Sequence, residues 1–139
     1  MQRKFFIILI IILLMLMILG IFYYFMNSRT YNLKLPQLEK LESISLEQDT
    51  NKKVINDNEK MKDIINILNE RERTSKEESI QDSPVNTSNK VKIDFKFKET
   101  GASTLFVYER NNKYYIEQPY NGIYKISMDE YNSIEKYTK

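Results

Sequence analysis

An unbroken apolar run from Phe5 to Met26, preceded by Arg3 and Lys4 and followed by polar chain, constrains this protein more than any other feature of its sequence. Its twenty-two residues give roughly 33 Å of helix at about 1.5 Å per residue, enough to cross a hydrocarbon layer about 30 Å thick. Sixteen of the positions are Leu, Ile or Phe, and together they favour insertion by about 5 to 9 kcal/mol with no charge opposing them. Tyr23 and Tyr24 stand near the far end, where an aromatic ring with a polar tip suits the membrane interface. Arg3, Lys4 and the amino group precede the run, whereas Arg29 and then Lys34 follow it, a bias toward a cytoplasmic N-terminus. The alternative is a cleaved signal peptide, whose apolar core is usually about 7 to 15 residues and ends in a small-x-small site. Gly20 is the only small residue here and Ile21, Phe22 and Tyr23 follow it, so the run reads as a retained signal anchor. Either reading exports the remainder. The expected organisation is a cytoplasmic stub (1–4), a single transmembrane anchor (5–26) in the cell membrane, a tether (27–40) and an extracytoplasmic domain (41–139).

Setting aside Arg3 and Lys4 leaves 19 basic side chains against 19 acidic ones, all of them beyond the span, so the exported part is neutral. That balance gives no support to nucleic-acid binding, which needs a basic excess on one face. The absence of cysteine excludes a lipobox and any disulfide framework, and stability must come from packing.

Within the domain, Ile44 and Leu46 alternate with polar neighbours from Leu41 to Glu47, the period of a half-buried strand. A turn over Gln48–Asn51 leads to a short second strand over Lys53–Asn56. Asp57 is placed to cap a helix whose Met61, Ile64, Ile65 and Leu68 fall on one face. The stretch from about 71 to 89 is polar, with Ile80 and Val85 its only large apolar groups, and reads as a long loop with a turn at Asp82-Ser83-Pro84. Val91, Ile93, Phe95 and Phe97 then alternate with Lys90, Lys92, Asp94, Lys96 and Lys98, a clean strand. Further strands follow over Thr104–Arg110, Lys113–Gln118 and Ile123–Ser127. Asn111-Asn112 suits a tight hairpin, Gln118-Pro119-Tyr120-Asn121 suits a type I turn, and Gly122 is expected in the left-handed conformation. Ser127 and Glu130 make a capping box before a short helix striped by Tyr131, Ile134 and Tyr137. The fold class is α+β: a mainly antiparallel sheet of four to five strands with one or two helices packed on it.

The segment Tyr114-Tyr115-Ile116-Glu117-Gln118-Pro119-Tyr120-Asn121-Gly122-Ile123-Tyr124-Lys125-Ile126 resembles the signature of small membrane-anchored proteins of Gram-positive bacteria that carry a domain of unknown function, DUF5301. Thr74-Ser75 and Ser79-Ile80-Gln81-Asp82-Ser83-Pro84 look like a second block of that family, with Gln81 where Asn is more usual. The resemblance covers roughly Leu33 to Tyr137. It implies a bacterial surface location and a sheet-plus-helix fold, and implies no activity.

The chain contains neither histidine nor cysteine, so it lacks the usual neutral-pH proton carrier, a thiol nucleophile and zinc-thiolate ligands. No glycine-rich phosphate loop or EF-hand spacing occurs, and neither a cofactor nor a metal is expected. The lysines of the Val91–Phe97 strand are candidates to meet anionic wall polymer or lipid headgroups, against the simpler reading that they solvate the strand and discourage edge pairing. Tyr115, Tyr120 and Tyr124, with Gln81, Asp82 and Pro84 of the polar loop, are the candidate contact surface, because rigid amphipathic rings concentrate at interfaces. The expected function is that of a non-enzymatic binding module for an extracytoplasmic peptide, protein or envelope component. Two alternatives stand beside it: a cell-wall glycan hydrolase using Glu109 or Glu117 as carboxylates, and an accessory or immunity-type protein acting through its membrane helix.

Overall fold

The structure, a computed structural model, describes residues 2–27 and 30–139. Met1 of the expected stub, and Ser28 and Arg29 of the expected tether, lie outside the described residues. The chain divides into two units, Met1–Thr30 and Tyr31–Lys139.

The first unit is one helix, α1 (Gln2–Asn27), within which Arg3–Met26 is long and apolar enough to cross a membrane. Its large apolar side chains from Phe5 to Met26 are all exposed. A helix of this length that is apolar on every side is compatible with a membrane anchor or a signal sequence.

The second unit runs β1 (Leu41–Gln48), β2 (Asn51–Ile55), α2 (Asn58–Asn69), β3 (Ser88–Phe97), β4 (Ala102–Arg110), β5 (Lys113–Gln118), β6 (Gly122–Ile126) and α3 (Met128–Glu135), with single 3-10 turns at Leu38–Lys40 and Lys136–Thr138. The strands form one sheet in the order β2-β1-β3-β4-β5-β6, every neighbouring pair antiparallel. That is six strands where four to five were expected. β2 stands where a short second strand was expected over Lys53–Asn56; it is an edge strand in which only Ile55 is buried, so its sequence carries little alternation. Because β2 and β3 both run antiparallel to β1, they are parallel to each other, and joining them requires a crossover that α2 supplies. The chain joins this unit at Tyr31: Tyr31 N–H donates to the Arg73 carbonyl at 2.8 Å, Leu33 is buried, and the Gln118 amide brackets both backbone groups of Lys34 at 2.9 and 2.8 Å. Most of the stretch read as a tether thus packs on the domain.

Alternation places Ile44, Leu46, Val91, Ile93, Phe95, Leu105, Val107, Ile116 and Tyr124 on the inner face, where Met61, Ile64 and Leu68 of α2 and Tyr131 and Ile134 of α3 complete one core. Ile65, at the margin of the helix stripe, is half-buried. Two irregularities adjust the pattern. Between Leu41 and Ser43 the register gains one residue, so Leu41, an odd three positions before Ile44, shares its face and joins it in the core. Between Ser88 and Val91 the extra residue is accommodated by Asn89 in the left-handed region, at φ 50°.

The local chemistry explains the ends. Asp57 accepts from the Lys60 N–H at 2.9 Å as the cap of α2, and Ser127 accepts from the Glu130 N–H at 3.2 Å as the cap of α3. Asn111 and Asn112 hold φ of 53° and 57°, the two left-handed residues of a type I′ hairpin. The turn between β5 and β6 departs from expectation. Tyr120, not Gly122, carries the positive φ of 60°, which with Pro119 before it makes the turn type II. Space at Gly122 is tight: a Cβ there would lie 2.6 Å from Cε of the exposed Lys76 side chain, which can swing away, and 3.0 Å from Tyr124 Oη. Ile64→Ala, which empties the centre of the contact between α2 and the sheet, is expected to lower unfolding free energy by about 2 to 5 kcal/mol in a urea titration of the full chain in micelles.

Candidate functional site

The outer face of the sheet, away from the helices, is treated differently at its two ends. On β4–β6 it carries a second apolar cluster of Phe106, Tyr108, Tyr115 and Ile123. The residues between α2 and β3 fold across that cluster and are held there at three points. Arg73 is buried, its Nη2 donating to the Leu68 carbonyl at 2.9 Å and its Nη1 lying 2.5 Å from Glu130 Oε1. The second contact is a buried ion pair that neutralises the Glu130 charge. Glu77 exchanges two backbone bonds with Ile123, at 2.8 and 2.9 Å, and so covers the edge of β6. Ser79 Oγ donates to Glu117 Oε1 at 2.6 Å, while Tyr108 Oη donates to Oε2 at 3.0 Å.

Glu117 is therefore a buried carboxylate satisfied by two hydroxyl donors. Burial first, and then the neighbouring Glu117 charge, hold the Tyr108 phenol above its ordinary range, so it remains a donor. Arg110 roofs the cluster: its guanidinium lies 4.8 Å from the Tyr115 ring centre and pairs with Glu77 at 3.1 Å. Beside this network a cleft of about 140 Å³ is bordered by Ser79, Ile80, Pro84, Val85, Arg110 and Glu117.

The candidate contact residues do not form one platform. Tyr115 is buried in the outer cluster and stacks on Tyr108 with ring centres 5.8 Å apart. Tyr124 points to the inner core, its hydroxyl accepting from Asn121 Nδ2 at 3.0 Å. Tyr120 stands at the turn, 69% exposed, and donates to Asp82 Oδ1 at 2.6 Å, a bond that raises its phenol pKa. Gln81 and Asp82 are exposed and Pro84 is buried beneath them. The structure thus gathers Tyr120, Asp82, Gln81 and Pro84, leaves Tyr115 as support and removes Tyr124. It adds Ile80 and Val85, 72% and 56% exposed on the same loop. Their signal in the sequence was their isolation in a polar stretch.

Glu109 and Glu117 differ in the same way. Glu109 is paired with Tyr114 on one face and Glu117 with Phe106 on the other, so the two carboxylates do not converge. Among the described residues no group of three or more acidic side chains gathers as a metal shell. On the open half of the face, over β1–β3, the lysines are answered locally: Lys92 by Asp94 at 2.9 Å and Lys96 by Glu42 at 2.9 Å. Lys90 lies over the Phe106 ring at 5.8 Å.

An apolar helix followed by an antiparallel sheet with two helices on one face defines the class, an α+β domain behind an N-terminal apolar segment. The sequence profile described as "DUF5301: Domain of unknown function (DUF5300)" matches residues 29–125, and the chain belongs to that family. No curated protein and no solved structure matches it.

Two outcomes follow from the buried network. Burial raises the Glu130 carboxyl above its ordinary 4.5, with Arg73 opposing. A raised folded-state value makes the protonated form the better-folded one, so its contribution is fully present below 4.5 and is lost as pH climbs through the folded value. Arg73→Met, which leaves Glu130 buried without its counter-charge, is expected to cost about 3 to 5 kcal/mol at neutral pH and distinctly less in acid, by urea titration at several pH values. Ser79→Ala removes one donor from Glu117; a loss of about 1 to 3 kcal/mol, with faster amide exchange across residues 77–85, is the expected result.

Proposed function

We propose that this protein is a single-pass membrane protein whose N-terminus is cytoplasmic and whose second unit is displayed outside the cell as a non-enzymatic binding module, for a peptide, a protein or another envelope component. The carrying observation is α1, a helix apolar on every side with Arg3 and Lys4 at its start, on a chain that continues into a folded, charge-balanced domain. The contact surface in this reading is the loop 78–85 with Tyr120. Of the large apolar side chains exposed in the second unit, Ile80, Val85 and Tyr120 belong to it, and they sit on a base fixed by the Glu117 network. Mixed charge around the loop favours a partner of mixed polar and apolar character over a bulk polyanion.

The absence of native cysteine makes the topology directly testable. In intact cells a membrane-impermeant maleimide is expected to label Thr50→Cys, whereas Gln2→Cys should react only after lysis; the reverse pattern overturns the topology. A photocrosslinker placed at Gln81 is expected to trap a partner, and Ile80→Ala combined with Tyr120→Ala to lower the yield about tenfold or more, the effect of losing two interface anchors. Both positions are exposed, so thermal stability should hold; an unchanged yield would remove this surface from the proposal.

A further inference from the structure

The two edges of the sheet are not equivalent. The β6 edge is bridged at Ile123 by the backbone of Glu77, while among the described residues no strand pairs with the outer edge of β2. The β1–β2 hairpin fixes which groups that edge offers. Its two-residue turn, with Asp49 at φ 54°, closes on the pair Gln48–Asn51, a hydrogen-bonded pair in such hairpins. By alternation Leu46–Lys53 and Ile44–Ile55 are also hydrogen-bonded pairs, and the N–H and C=O groups of Lys52 and Val54 turn away from β1. The geometry points to this edge as a docking site for an extended, acidic segment of a partner protein, added as a seventh strand.

Three observations define what fits. Val54 is 61% exposed on the outer face, a β-branched apolar side chain at the edge itself. A groove of about 300 Å³ runs along the strand between Val54, Ile55, Lys60 and Tyr137, giving alternate side chains of an incoming strand somewhere to sit. The charges beside it are Lys53 and Lys60 against Asp57, the cap of α2, with Lys52 next along the strand 4.0 Å from Glu47 and the Lys53 ammonium donating to the Lys139 carbonyl, so the lysines keep a small positive excess. Excess positive charge beside open main-chain donors selects an acidic strand. It also disfavours a second copy of this chain, since the full-length antiparallel register of β2 on itself would set Lys53 against Lys53. Lysines on an edge also discourage indiscriminate pairing, and the same charges then act as the filter. This surface is separate from the loop 78–85, so the two fail independently.

The test uses the full chain in lipid nanodiscs and a random peptide library displayed on phage. Acidic sequences with alternating apolar positions are expected to be enriched. Val54→Pro deletes one outward N–H at a position where proline is tolerated on an edge, and should weaken the enriched peptides about tenfold or more with the circular dichroism unchanged. Lys52→Glu with Lys60→Glu, both on exposed side chains, should do the same and shift selection toward basic sequences. Absence of enrichment, peptides that bind Val54→Pro and the charge-reversed chain as well as the native one, or self-association abolished by Val54→Pro would each overturn the proposal.

Discussion

The outer surface of this domain depends on one buried guanidinium. Arg73 lies just past the end of α2, where the last carbonyls of the helix have no intrahelical partner, and its Nη2 supplies one to Leu68. Its other terminal nitrogen reaches Glu130 in the first turn of α3, where the helix dipole favours an acidic side chain. Its backbone bridges Tyr31. One residue thereby ties together the exit of α2, the entry of α3 and the point at which the chain joins the domain. The full capping box that Ser127 and Glu130 would form is half made for this reason: Ser127 caps α3, and the Glu130 side chain is drawn to Arg73.

With Arg73 fixed, the following residues have little freedom about where to go. They lie along β6 through Glu77 and reach the outer cluster at Ser79, three residues before Asp82, which accepts from Tyr120. A six-stranded sheet with helices on one face has a second face to cover, and here a loop covers half of it. Loop backbone over an apolar patch is tolerable only where its polar groups find partners, which the Glu77–Ile123 bridge and the Ser79–Glu117–Tyr108 network provide. Glu117 suits this role because its two carboxylate oxygens accept from two hydroxyls at once.

Much of the fold could be read from the chain because its signals are local. The lysine-alternating strand β3, the Asp57-capped helix and the Asn-Asn hairpin each rest on residues within a few positions of one another. The site could not be read to the same depth. A buried arginine looks like a solvated one inside Arg71-Glu72-Arg73, and its partner Glu130 is remote in sequence. Tyr120 and Asp82 meet only because the loop crosses the sheet. The separation of Tyr115 from Tyr124 was available in principle. With Gln118 paired to Gly122 across the turn, Tyr124 falls opposite Ile116, and alternation sends Tyr115 to the other face. What obscured it was the assignment of the left-handed residue to Gly122, which hid the turn type from which that register follows.

The division of the outer face also explains how a charge-balanced domain carries so many lysines without a cationic surface. Each outward lysine of β3 has an acidic or aromatic neighbour within reach, Lys92 with Asp94, Lys96 with Glu42 and Lys90 over Phe106. Such exposed pairs contribute little to stability. Their effect is on the field: paired charges cancel within a Debye length of about 8 to 10 Å at physiological salt. An approaching polyanion meets almost no net attraction there. The edge of β2 keeps a small positive excess, because Lys52, Lys53 and Lys60 stand there against Glu47, 4.0 Å from Lys52, and Asp57, the cap of α2. Open backbone donors and a net positive charge coincide at that strand, and it is the coincidence, more than either feature alone, that separates an edge built for selective pairing from one built only to stay unpaired.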